Sequence, residues 1–270
     1  YSLSYDSNGN LTADNKHTYT YDYANRLVSI DNDSTNIYKY DALGRRIAKG
    51  KTLFLYSGSQ MIEETTDGVV TSYLYGDNID ETLLMQRGEN IWYYHANHLG
   101  SVIALTDTSG QVVERVDYDV FGMPSFFDSE GNSMPQSAVG NTILFTGREY
   151  DYASETYYFR ARSLHPALGR FMQHDPLMYI NGMNDYNYVS NKPINYVDNS
   201  GTSQDDCLGW KDFVGGAFKF VKGVLDLSKW GTEDLGLRNK EIAKGLIEQA
   251  KAMERLIKND YINAAKSYEK

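Results

Sequence analysis

Cysteine is nearly missing: Cys207 is the single one in 270 residues, so no disulfide can close within the chain. Prolines number five, and no apolar run approaches the length of a membrane span. Basic residues are short too, 26 Lys and Arg against 36 Asp and Glu. A formal charge of −10 argues against a nucleic-acid partner, which needs clustered cations to displace counterions. The five histidines are His17, His95, His98, His165 and His174, so residues 205–270 hold none. Small nuclease, deaminase and peptidase sites draw their base, nucleophile or ligands from His and Cys, and this tail offers only Cys207. The first residues, Tyr-Ser-Leu-Ser-Tyr-Asp, lack an initiator Met, a basic stretch and an apolar core of a signal peptide. They start inside a repeat, and the expectation is a piece of something longer.

What is abundant is tyrosine: 23, against 10 phenylalanines, and 21 of them precede residue 205. Tyrosine suits a half-buried strand whose ring packs while its hydroxyl reaches a partner. Tyr5-Asp6, Tyr21-Asp22 and Tyr40-Asp41 recur at intervals of 16 and 19 residues, each followed by turn formers; Tyr118-Asp119 and Tyr150-Asp151 are looser copies. Asp bonds the backbone two residues on, and Gly or Asn tolerates positive φ, so each copy predicts a strand end and a hairpin turn. Residues 53–56, 69–75, 91–94, 101–106 and 111–118 read as strands, with Asp67-Gly68 and Ser109-Gly110 as turns. The expected fold class is mainly β: antiparallel hairpin repeats, followed by a short helical tail. Residues 122–141, with two of the prolines, read as an exposed loop. Lys and Arg against Asp and Glu count 14 and 25 in residues 1–204, but 12 and 11 in 205–270, so the acidity belongs to the β region. In the tail, apolar residues from Trp210 to Leu225 and from Ile242 to Tyr261 recur at three- and four-residue steps, the mark of two amphipathic helices.

The stretch 147–201 carries the densest signature. Gly147-Arg-Glu-Tyr-Asp151, Tyr157-Tyr-Phe-Arg-Ala-Arg162, Gly169-Arg-Phe171, Asp175-Pro176, Gly182 to Pro193 and Asp198-Asn-Ser-Gly201 follow one another. Residues 157–162 alternate imperfectly, predicting a strand that presents two guanidinium groups on one face. Together these motifs resemble the RHS-repeat-associated core domain of RHS/YD-repeat proteins, which include bacterial polymorphic toxins, insecticidal toxin complex components and, more distantly, teneurins. The resemblance covers roughly residues 1–201. It implies hairpins spiralling into a hollow shell, with boundaries at 1–146 for the YD repeats, 147–201 for the core domain and 202–270 for a variable C-terminal segment.

It also implies a site. In many RHS cores, paired Asp-Pro-x-Gly motifs form an aspartyl-protease-like centre that cuts just past the second motif. The matching positions are Asp175-Pro176-Leu177-Met178, with Met where Gly is usual, and Asp198-Asn199-Ser200-Gly201, with Asn where Pro is usual. Two carboxylates brought together favour one protonated and one ionised, an acid and a base. The altered frames predict weak or absent cleavage, with any cut falling between 201 and 204; the plainer reading makes both aspartates turn caps. Arg160, Arg162 and Arg170 either pair with the acidic shell or orient the two aspartates. His95-Ala-Asn-His98 has a metal-like spacing without a visible third ligand, and reads as a hairpin signature. No cofactor and no metal is expected.

The function implied is that of a scaffold enclosing or presenting the C-terminal segment, in a secreted or surface-attached bacterial protein used against competitors. The alternatives are a YD array for adhesion or carbohydrate binding without a toxin, and a protease acting only on its own chain. Partners follow suit: the C-terminal segment itself, an immunity protein or a cell-surface glycan, and a membrane for residues 208–227.

Overall fold

The computed structural model describes residues 2–178, 183–202 and 205–206. The expected helices over 210–225 and 242–261, and the membrane contact of 208–227, lie outside these residues. Within them, an eleven-stranded antiparallel sheet runs in strict sequence order, from Tyr38–Tyr40 at one edge to Ser133–Met134 at the other. Two small hairpins precede it, Ser4–Tyr5 with Leu11–Ala13 and Tyr19–Tyr21 with Leu27–Ile30. A four-stranded sheet follows, made of Glu149–Asp151, Thr156–Phe159, Arg162–His165 and Arg170–Phe171. The strands expected over 53–56, 69–75, 91–94, 101–106 and 111–118 are present as Thr52–Ser57, Val69–Tyr75, Asn90–Ala96, Val102–Thr106 and Val112–Tyr118.

One turn closes seven of these hairpins. At Asp6, Asp22, Asp41, Asn97, Asp107, Asp119 and Asp128 the side-chain Oδ1 accepts the backbone N–H groups two and four residues on. The main chain of the same residue bonds positions three and four further on. The third position has positive φ in every copy, filled by Asn25 at 59° and otherwise by glycine. Tyrosine then ties neighbouring hairpins together. The hydroxyls of Tyr21, Tyr40, Tyr56 and Tyr118 donate to the carbonyls of Leu11, Leu27, Arg46 and Val102, each the fifth residue after the Asp or Asn of an earlier turn. Tyr75 makes the same reach to the Met61 carbonyl. Each ring covers apolar neighbours while its hydroxyl satisfies a carbonyl, which is the use that favours tyrosine over phenylalanine here.

The core crosses residue 147. Val116, Phe126, Leu144 and Phe145 pack with Tyr150, Tyr157, Phe159, Leu164, Phe171 and Tyr188. Phe159, Phe171 and Tyr188 meet edge to face at centroid distances of 5.5 to 5.8 Å; such pairs add about 0.5–1.5 kcal/mol each beyond burial.

Two expectations need correction. Residues 157–162 are not one strand: Thr156–Phe159 is buried throughout, Arg160 and Ala161 make the turn, and Arg162 opens the next strand opposite Phe159. Arg160 sits at φ 59°, and its guanidinium meets Asp80 and Asn199, whereas that of Arg162 meets Asp175, Asp198 and Gly201. Residues 122–141 are not an exposed loop. Pro124–Asp128 and Ser133–Met134 extend the sheet, and Phe126 enters the core. Residues 137–143 then form a strap anchored to three different strands. Glu114 accepts from Ser137 Oγ at 2.7 Å, Tyr94 donates to Asn141 at 2.8 Å, and Arg87 donates to the Val139 carbonyl at 2.8 Å.

Candidate functional site

Arg162 lies at the centre of a buried ionic cluster. Its Nη2 is 3.0 Å from Asp175 Oδ2 and 3.3 Å from Asp198 Oδ2, and the three side chains are 3%, 4% and 3% exposed. The guanidinium carbon lies 3.6 Å from the centroid of the Phe171 ring. Burial pulls the Arg162 pKa down, while the Asp175 and Asp198 carboxylates pull it back up. Buried charges of this kind survive only when paired and fully bonded, and Arg162 is: Nη1 donates to the Asp185 carbonyl at 2.9 Å and Nε to the Gly201 carbonyl at 2.5 Å.

Both aspartates also head turns of the kind the repeats use. Asp198 Oδ1 accepts from Ser200, Gly201 and Thr202 N–H at 3.1, 2.7 and 3.1 Å. Gly201 has φ 74°, and a Cβ there would meet the Phe159 carbonyl oxygen at 2.2 Å, so only glycine fits. Asp175 Oδ1 accepts from Leu177 N–H at 2.8 Å, and Met178 takes the third position at φ 56°. The peptide joining residues 201 and 202 is thus held from both sides, its carbonyl by Arg162 and its N–H by Asp198. Beyond that turn, Asp205–Asp206 pairs with Tyr196–Val197, so strand pairing continues past residue 202.

The other arginines divide. Arg160 donates to both oxygens of Asp80, at 2.6 and 3.2 Å, and its Nη1 also donates to the Asn199 carbonyl. Arg148 reaches the same Asp80, so this carboxylate joins the large sheet's loop to the closing turn. Arg170 is exposed, and its backbone pairs with His165 and Asn187. It makes neither aspartate contact. The two histidines of the His-x-x-His spacing have separate partners, His95 with Thr106 at 3.0 Å and His98 with the Ile194 carbonyl at 3.4 Å. Among the described residues, no group of three His, Cys, Asp or Glu is placed to hold a metal ion. Asp80 and Asp185 went unread in the sequence. Neither has a local signal, because each matters through contacts many residues away.

A family model described as teneurin YD-shell matches residues 1–195. The tRNA nuclease WapA of Bacillus subtilis (strain 168) is 34% identical over 216 residues, which is 74% of this chain and 9% of that protein. Double-stranded DNA deaminase toxin A of Burkholderia cenocepacia (strain H111) is 25% identical over 249 residues, 77% of this chain and 17% of that protein. The chain therefore spans a small fraction of these relatives' length. The crystal structure of TcdB2-TccC3 superposes with a TM-score of 0.56 at 17% identity, covering 73% of this chain and 11% of that one, a likeness of fold.

Proposed function

The chain belongs to the teneurin YD-shell family, and from that premise we propose that it closes an RHS/YD shell and presents residues 202–270 as a variable segment, which it frees by cutting between Gly201 and Thr202. The family match ends at residue 195, close to the change in composition near 205, and supports that division. Residues 147–201 are then the core domain, and 1–146 the repeat region. Relatives described as a tRNA nuclease and a DNA deaminase toxin support a toxin-bearing role for such a shell, working outside the producing cell. Its first partner is its own C-terminal segment, and an immunity protein is the second.

The single observation that carries the cut is the grip on one peptide. Arg162 Nε holds the Gly201 carbonyl while Asp198 Oδ1 touches the Thr202 nitrogen, and Asp175 stands across the same guanidinium. A donor already aimed at the carbonyl stabilises the oxyanion that forms when water adds. Asp175 takes the proton from that water, and Asp198 delivers one to the departing Thr202 nitrogen. Asp198 is arranged as an acceptor of N–H groups, so it must first gain a proton before it can act as the acid. Intact-mass measurement on the 270-residue chain, incubated at pH 5 and pH 7, tests this. The expected products are 1–201 and 202–270, together heavier than the chain by one water, and absent from Asp175→Asn and Asp198→Asn. Chains that stay whole at both pH values reduce both aspartates to turn caps.

A further inference from the structure

Asn199 sits between Asp198 and Ser200 in the closing turn, and three contacts there point to a second chemistry. Arg160 Nη1 donates to the Asn199 main-chain carbonyl, and the same guanidinium is fixed by Asp80 through two hydrogen bonds. The Ser200 N–H donates to Asp198 Oδ1 at 3.1 Å. The Asp198 side chain is 3% exposed, so that carboxylate meets the turn rather than bulk water.

Asparagine has two intramolecular reactions, and the Arg160 contact favours the one at the main-chain carbonyl. In deamidation, the following backbone nitrogen attacks the side-chain amide and ammonia leaves. Here that nitrogen is Ser200 N, whose hydrogen is donated to Asp198 Oδ1. In the other reaction, the side-chain Nδ2 attacks the residue's own main-chain carbonyl. That carbonyl is the one Arg160 polarises.

We propose that Asn199 is a self-cleaving residue that cuts the Asn199–Ser200 peptide bond by cyclising to a succinimide. Asn199 Nδ2 forms a bond to its own carbonyl carbon, and the negative charge that develops on the oxygen is held by Arg160. Asp198 takes the proton released from Nδ2 and passes it to Ser200 N, which is within hydrogen-bond distance. The bond from that carbon to Ser200 N then breaks. No water is consumed and no redox partner is needed: one proton moves from Nδ2 to the new amino group. The front fragment ends in a five-membered imide at 199, and the released segment begins at Ser200. This route goes beyond the hydrolysis proposed for the 201–202 peptide and does not use Asp175.

The two cuts separate cleanly by mass. Purified full-length chain is incubated at pH 7, and the fragments are weighed and the new amino terminus sequenced. The expected result is a pair whose masses sum to that of the intact chain, with Ser200 at the new terminus, and hydroxylamine trapping the front fragment as a hydroxamate. Asn199→Ala and Asn199→Gln abolish this cut. Arg160→Met slows it by roughly 10²-fold, the usual effect of losing one oxyanion donor. Arg160→Lys, which keeps a charge beside Asp80, slows it less. Absence of a Ser200 terminus overturns the assignment, whether the chains are cut at Thr202 alone with a sum heavier by one water, deamidated but uncut at Asn199, or whole and unmodified.

Discussion

Met178 carries a backbone conformation that its side chain resists. Every repeat turn puts its third position at positive φ, and glycine fills it in all of those copies but the one with Asn25, whereas Met178 holds φ 56° with a long apolar side chain. The left-handed conformation costs an L-residue about 1–2 kcal/mol, and glycine escapes that at an entropic cost of roughly 0.5–1 kcal/mol. Met178 is 66% exposed, so little burial is lost on truncation. Met178→Gly should therefore stabilise the chain by up to about 1 kcal/mol, read as a rise in urea midpoint, while Met178→Ala gives no rise. A midpoint that stays put in Met178→Gly would mean the strain is absorbed elsewhere. The departure from glycine was readable in the sequence. That Met178 nonetheless adopts the glycine conformation was not, because the Asp175 cap and the Met178 N–H bond to the Asp175 carbonyl enforce it.

Between elements, the tyrosine ladder is the recurrent contact, and it can be tested one rung at a time. Tyr118 Oη donates to the Val102 carbonyl at 2.6 Å, and burial pushes the phenol well above its usual pKa, so it stays a donor. Tyr118→Phe keeps the ring and removes that donor, which should cost about 1–2 kcal/mol. Tyr23→Phe, at a residue 94% exposed, should cost nothing measurable by the same denaturation. Equal midpoints for the two variants would mean that the rungs do not stabilise neighbouring hairpins. The Tyr-Asp pairs and their spacing made the hairpins legible in advance, as did the alternating runs between them. The turn at Asp128 was hidden because Phe127 stands where the motif has Tyr, whereas those at Asn97 and Asp107 were legible through His95-Ala-Asn-His98 and Ser109-Gly110. The strap at 137–143 was hidden for a different reason: its bonds to Glu114, Tyr94 and Arg87 are long-range, and its own sequence looks like a loop. Asp175 and Asp198 were singled out through their motif frames, but no spacing rule predicts that Arg162 joins them.

At the scale of the whole molecule, the four-stranded sheet is where distant parts of the chain meet. Arg46 reaches Glu149 at 2.5 Å, Lys49 reaches Asp151 at 2.7 Å, and Tyr38 donates to Asp151. The first hairpin docks through Asp14, whose Oδ2 lies 2.9 Å from His165 Nε2 and accepts from Tyr19 Oη at 2.9 Å. Its Oδ1 accepts from the Lys16 and His17 N–H groups, both at 2.7 Å. Burial pushes the Asp14 carboxyl up, but the bonds from His165, His17, Lys16 and Tyr19 together outweigh it and hold the pKa near about 2, below the reference 3.8. A carboxylate whose folded pKa is depressed stabilises the fold above its unfolded pKa, and that stabilisation is lost as pH falls through the folded value. The difference in urea midpoint between the parent chain and Asp14→Asn should therefore be constant above about pH 4 and shrink steadily toward pH 2. Other depressed carboxylates, Asp22, Asp31 and Asp151 among them, titrate in both proteins and cancel in the comparison. If the difference is instead the same at pH 2.5 and pH 7, the docking of the first hairpin depends on the shape of residue 14 rather than its charge. The contact between Asp14 and His165 would then be one of position alone.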